Sequence, residues 1–336
     1  MLKKRIVRAA AAAAVALGIA LVALTVYVAR TWDRTWDAPL PNLQASADPA
    51  VIKRGEYLVF GPSHCVDCHS ASPTAAQEAA DRGERPALVG GQPFALAPLG
   101  VIYSANLTPD PETGIGRYTD PQIARLLRYA VRPNGRATAR PLMAFDSMSD
   151  DDMTAVISYL RSQPPVRHAV PQDQYTLVGK IVKSFAPTFK PRTDVRPYAA
   201  TPEERPTRER GEYLARAAAN CGGCHSPRTQ LTFAVNGPEF SGGNAMEPAA
   251  LPDADPTIWF RPPNITPATQ SALSKFPDRE TFVARFQRGG RHHAGSPMPW
   301  ECFGRMSTND IGALYEFLHS LPAAGEATET TFRKTS

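Results

Sequence analysis

Cys65-Val66-Asp67-Cys68-His69 recurs 156 residues later as Cys221-Gly222-Gly223-Cys224-His225. The surrounding sequence recurs with it, since Arg54-Gly55-Glu56-Tyr57-Leu58 reappears as Arg210-Gly211-Glu212-Tyr213-Leu214 at the same offset. Downstream, Gly90-Gly91 is matched by Gly242-Gly243. Asn106-Leu107-Thr108-Pro109 is matched by Asn264-Ile265-Thr266-Pro267, and Met148-Ser149 by Met306-Ser307. The offset drifts by only a few residues, so the duplicated unit is a whole domain rather than a motif.

Two cysteines one helical turn apart, followed at once by histidine, form the attachment pattern of a c-type haem. The sulfurs form thioethers with the two vinyl groups, and the imidazole reaches the iron. Cys65, Cys68, Cys221 and Cys224 are therefore expected to hold two covalently bound haem c groups, with His69 and His225 as proximal iron ligands. A zinc site would use the same thiolates. However, 152 residues separate Cys68 from Cys221, and each pair is followed by histidine inside a repeated unit. The same context disfavours a thioredoxin-like redox pair. Only Cys302 of the five cysteines remains outside the motifs, which leaves no disulfide framework.

The 336 residues, 43% of them hydrophobic, suffice for two ordinary domains each burying its own core, and 33 prolines predict long irregular segments. Lys3, Lys4, Arg5 and Arg8 precede an uncharged run from Ala9 to Ala29. As a helix that run is about 30 Å long, enough to cross a bilayer. A cleaved signal peptide is the rival, but no small-residue cleavage site stands around Tyr27-Val28-Ala29. The basic flank keeps the N-terminus in the cytoplasm and predicts a single-pass protein whose C-terminal domains face outward. The pI near 9.0 does not indicate nucleic acid: residues 1–30 hold five basic and no acidic side chains, and the whole chain is +5. The exported part is thus close to neutral.

The expected organisation is an anchor over residues 1–30, a stalk over 31–48, a first unit over 49–168, a linker over 169–206, a second unit over 207–322 and a polar tail over 323–336. Leu177, Ile181, Val182 and Phe185 predict a short amphipathic linker helix packed across one or both units. Ser149 with Asp152, and Ser307 with Asp310, have the spacing of capping boxes and open the closing helices. Met153, Val156, Ile157 and Leu160 in the first helix, and Ile311, Leu314, Tyr315 and Leu318 in the second, follow the helical period up to Pro164 and Pro322.

An opening helix with Gly-Glu-Tyr-Leu, an attachment turn, an irregular Gly/Pro-rich middle, a methionine loop and a closing helix together resemble a class I cytochrome c domain, seen twice. The pair is similar to the cytochrome c subunits of bacterial membrane dehydrogenases for alcohols and gluconate, which share Asn-x-Thr-Pro segments and Met-Pro-Trp-like loops. The resemblance covers residues 50–322. It implies an all-α chain of two tandem class I cytochrome c domains after an N-terminal transmembrane helix.

The sixth iron ligand decides function, because methionine favours electron transfer and an open position favours catalysis. Met148 and Met306 stand just before the capping serines, where an apolar residue staples onto Met153 and Ile311 respectively. Met143 and Met298 lie on the loops where the resemblance places the axial methionine, and they are the expected sixth ligands. The loop after Met143 is shorter than the loop after Met298, so Met148 stays an alternative in the first unit. His292 and His293 are the competitors near the second iron, while His64, His168 and His319 read as surface residues. Cys302 reads as a buried thiol, Asn106 and Asn264 as braces of a loop, and Arg117, Tyr103, Trp259 and Arg261 as candidates for the propionates.

The expected function is single-electron transfer, not catalysis, between a respiratory donor or dehydrogenase and a terminal acceptor. Expected partners are the membrane and redox proteins such as a dehydrogenase subunit, a quinol-oxidising complex or a terminal oxidase, with no nucleic acid. The alternatives are a dihaem peroxidase with one open haem and, more remotely, a thiol-ligated enzyme using Cys302.

Overall fold

In the computed structural model, which describes residues 2–139, 143, 145–229, 232–325 and 329–334, helix α1 spans Leu2–Thr31. Its side chains are exposed apart from the buried Val28 and the half-buried Thr31, and it is long and apolar enough to cross a membrane. The stalk that follows is docked. Trp36 donates its amide to the Gly135 carbonyl, Ala45 to Asp120 and Ser46 to Ser158.

The first repeat opens with α2 (Pro49–Phe60), continues through the attachment turn α3 (Cys65–His69), α4 (Pro73–Asp81) and α5 (Asp120–Tyr129), and closes with α6 (Asp150–Ser162). After the linker helix α7 (Leu177–Phe185), the second repeat has α8 (Arg208–Tyr213), the attachment turn α9 (Cys221–His225), α10 (Arg279–Gln287), α11 (Trp300–Phe303) and α12 (Thr308–His319). A π-helical turn over Leu214–Ala218 extends α8.

Opening and closing helices cross at glycine in both repeats. A Cβ on Gly55 would lie 1.9 Å from the Ala155 carbonyl oxygen, and one on Gly211 would lie 1.9 Å from that of Ala313. Only a residue without a side chain lets the backbones approach this closely. The capping serines act as the sequence predicts, Ser149 accepting from Asp152 N and Ser307 from Asp310 N. The aspartate carboxylates, however, do not complete a capping box. Asp152 takes a two-pronged contact from Arg54 at 2.9 Å, and Asp310 takes one from Arg210 at 2.7 and 2.8 Å.

The repeats also exchange hydrogen bonds. Tyr57 of the first donates to Asp310 of the second, and Tyr213 of the second donates to Asp152 of the first, each at 2.6 Å. This reciprocity gives the seam the self-complementary character of a twofold interface. Buried side chains from both repeats accordingly form one continuous core cluster, in place of the separate cores expected from composition.

Helix is the main regular structure, at 42%, but the expected all-α architecture needs amendment. Strands β1 (Pro93–Leu96), β2 (Gly100–Tyr103) and β3 (Gln174–Tyr175) form one antiparallel sheet. Strands β4 (Ile258–Phe260) and β5 (Thr331–Arg333) form another, so part of the expected polar tail is paired. β5 stands to β4 as β3 stands to β2. In each repeat, β-favouring aromatic and branched residues in the irregular middle pair with a short strand that follows the closing helix.

Candidate haem attachment sites

Each attachment turn starts from a left-handed residue, His64 at φ 37° and Asn220 at φ 48°, which turns the chain sharply into the cysteine pair. One helical turn then sets the two sulfurs and the imidazole on a single short element. Cys65 and Cys221 are half-buried, and Cys68 and Cys224 are exposed. Burial raises the Cys65 and Cys221 thiols to about 12. Among the described residues no three His, Cys, Asp or Glu side chains gather into a metal-binding group, and the cysteines remain two separate pairs.

The imidazoles are oriented identically. His69 Nδ1 lies 2.8 Å from the Ala105 carbonyl oxygen, and His225 Nδ1 lies 2.8 Å from that of Pro263. A carbonyl can only accept, so Nδ1 carries the proton and the Nε2 lone pair is left for a metal. Burial lowers the pKa of both rings, which keeps them neutral as ligation requires.

The accepting carbonyls belong to the residues just before Asn106 and Asn264, and this explains the repeated Asn-x-Thr-Pro. Asn106 Oδ1 takes bonds from Thr108 N and Oγ1, while its Nδ2 reaches the Val166 carbonyl at 2.9 Å. Asn264 does the same with Thr266 and, at 2.7 Å, with the Ala324 carbonyl. The asparagine thus ties the segment that orients the histidine to the chain leaving the closing helix. Gly90 and Gly242 donate amides to the His69 and His225 carbonyls, which fixes the other side of each turn. Gly90 has φ +66°, and a Cβ there would meet the Ala105 carbonyl oxygen at 2.3 Å, so its side chain must be absent for that segment to approach.

The methionines differ in burial. Met148 and Met306 are buried in the core with Met153 and Ile311. Met143 and Met298 are only half-buried, at the margin of that core. Pro141 and Leu142, which precede Met143, lie outside the described residues. Each loop is held by an arginine that the sequence did not single out. Arg192 Nη2 donates to the Met143 carbonyl at 2.9 Å, and Arg291 Nη1 donates to that of Met298 at 3.0 Å while its Nη2 pairs with Glu301. Arg192 comes from the linker, 49 residues after the methionine it holds, and no local pattern announces it.

The remaining candidates have protein partners. Cys302 is buried and donates to Asp67 of the first attachment turn at 3.4 Å, and burial holds its thiol well above its usual range. His64 is half-buried rather than fully on the surface: its ring packs edge-on against Phe303, so α11 of the second repeat reaches the first attachment turn. His292 Nε2 accepts from Arg285 and His293 stands near Phe260, both residues being exposed. His319 stacks on Tyr315, and His168 is exposed. Arg117 lies over Tyr118, Arg261 over Phe332, and Trp259 under Lys334. The Tyr103 amide donates to Asp173.

No protein-family model matches the chain. It is 30% identical over 301 residues to the fructose dehydrogenase cytochrome subunit of Gluconobacter japonicus, covering 87% of this chain and 57% of the relative. It is 31% identical over 308 residues to the cytochrome c subunit of the quinone alcohol dehydrogenase of Gluconobacter oxydans, covering 83% of this chain and 56% of the relative. It is 29% identical over 226 residues to a diheme cytochrome c-type protein of Cereibacter sphaeroides, covering 64% and 67% respectively. The chain therefore spans little more than half the length of the two dehydrogenase subunits it matches. Two thiols one turn apart beside an oriented, neutral imidazole fit covalently bound haem c, in keeping with these relatives.

Proposed function

Taking its homology to cytochrome c subunits of dehydrogenases as the premise, we propose that this chain is a membrane-tethered periplasmic dihaem cytochrome. In this reading it accepts single electrons from a dehydrogenase and passes them to the respiratory chain. Of the three redox partners expected from the sequence, the relatives favour the dehydrogenase. Cys65, Cys68 and His69 would hold one haem and Cys221, Cys224 and His225 the other, and Met143 and Met298 would supply the remaining iron ligands. Haem iron so ligated supplies a one-electron Fe(II)/Fe(III) couple, and methionine ligation raises its potential.

The observation that carries the reading is the twofold repetition of one donor set: an imidazole fixed through Nδ1, and a half-buried methionine on an arginine-held loop. The rest of the chain works to orient and exclude. Asn106 and Asn264 keep the histidine rings in one orientation, Arg192 and Arg291 keep the methionine loops in place, and the shared core keeps water from the seam. Cys302 is engaged by Asp67, which argues against its use as an iron ligand.

Ferrous protein exposed to carbon monoxide is expected to keep its spectrum, because Met143 and Met298 would leave no open position on either iron. Conversion of roughly half the haem absorbance to a carbonyl form would instead favour the peroxidase, whose second iron is open.

A further inference from the structure

Helix α7 forms where the sequence places it, but it faces the wrong way for a helix that packs on its own protein. Gly179 lies against the Leu99 backbone, where a Cβ would come within 1.9 Å of the carbonyl oxygen. Ser184 is buried, and Lys183 reaches inward to Asp33 at 3.3 Å. Leu177, Val178 and Phe185 are 71%, 46% and 48% exposed, and Ile181 and Val182 beside them are only half-buried. At 100° per residue these five apolar residues share one continuous arc. The small and polar residues take the protein side, and the apolar arc is turned outward.

α7 is also fixed to the end of α1. Phe185 stacks on Tyr27 with ring centroids 5.0 Å apart and planes 25° apart. Lys180 and Lys183 lie over the Trp32 ring at 4.7 and 5.3 Å. Tyr27 and Trp32 stand where the uncharged run ends, the position at which aromatic rings mark a membrane–water boundary.

We propose that α7 is an interfacial helix that lies on the outer face of the bilayer beside the point where α1 emerges, with Leu177, Val178, Ile181, Val182 and Phe185 in lipid. The inference rests on the reading of α1 as a retained anchor. Three features commit the surface to lipid rather than protein. The apolar arc continues from the membrane-crossing helix through the Tyr27–Phe185 stack. The helix carries no acid, and Lys180, half-buried beside the arc, suits an anionic membrane surface. Its nine residues are a length that lies in the headgroup boundary and cannot cross it. The consequence is orientation: a single spanning helix leaves a domain free to swivel, and a second contact at α7 fixes which face of the first repeat is turned to the membrane.

The test is photolabelling of the full-length holoprotein in phosphatidylethanolamine/phosphatidylglycerol vesicles carrying a phospholipid with a diazirine in its acyl chain. Adducts are mapped by peptide mass spectrometry, and a parallel arm uses native membranes. Lipid adducts are expected on both α1 and α7. Val178→Glu/Phe185→Glu is expected to lower the α7 adducts about tenfold while those on α1 and the haem spectrum stay unchanged. Adducts on α1 alone would overturn the inference and leave the anchor standing. A chain starting after residue 29, with adducts on neither helix, would overturn the anchor and the inference together. Cross-linking of α7 to another polypeptide in native membranes, in place of lipid, would show a protein covering this face and would likewise overturn it.

Discussion

Asp310→Ala is expected to destabilise the protein by about 3–5 kcal/mol, the usual effect of stranding one member of a buried ion pair. Arg210 and Asp310 are 1% and 0% exposed, so the orphaned guanidinium cannot reach water without opening the helix crossing. The same substitution removes the acceptor of Tyr57, which belongs to the other repeat. Denaturant unfolding followed by far-ultraviolet circular dichroism would read the loss. An Arg210→Met/Asp310→Leu double variant should lose less than either single variant, because it strands no charge. Tyr57→Phe should cost about 2 kcal/mol, the range of a hydrogen bond to a charged group. Tyr213→Phe should match it if the seam is as symmetric as its geometry. A loss under about 1 kcal/mol for Asp310→Ala would mean that the pair is solvated and the repeats are held elsewhere.

Met298→Ala is expected to remove about half of the methionine-to-ferric-iron absorbance and to lower the potential of one haem, because thioether ligation favours the ferrous state. Met306→Ala should leave the spectrum intact and cost on the order of 2 kcal/mol, as deletion of a buried apolar side chain does. The contrast follows from position. Met306 is buried in the core before its capping serine, whereas Met298 is half-buried on the Arg291-held loop. Met143→Ala and Met148→Ala should divide in the same way. An unchanged spectrum in Met143→Ala with loss in Met148→Ala would reverse the assignment in the first repeat.

What could be read in the sequence was local and repeated. The attachment pentapeptides, the capping serines and the period of the closing helices each depend on residues within a turn or two, where spacing determines geometry. The roles of Asp152 and Asp310 could not be read in that way, because Ser-x-x-Asp suits a capping box and an ion pair equally. The choice was made by Arg54 and Arg210, about a hundred residues away. Arg192 holding Met143, β5 completing a sheet with β4, and Tyr57 crossing to Asp310 are likewise long-range pairings that no periodicity encodes. For α7 the period gave the helix and its apolar arc correctly. Its direction depended on which neighbour it met, and that neighbour was the end of α1. The Asn-x-Thr-Pro segments lay in between: their repetition signalled a structural role, and only the structure showed the carbonyl presented to each histidine.

The central claim is that each repeat binds its own haem covalently, and intact mass of the denatured holoprotein tests it most directly. The account predicts the chain plus two haems for the wild type, with Cys68→Ala losing haem at the first site only. Haem that leaves the wild-type chain on extraction with acid and organic solvent, or a mass corresponding to a single haem, would contradict it.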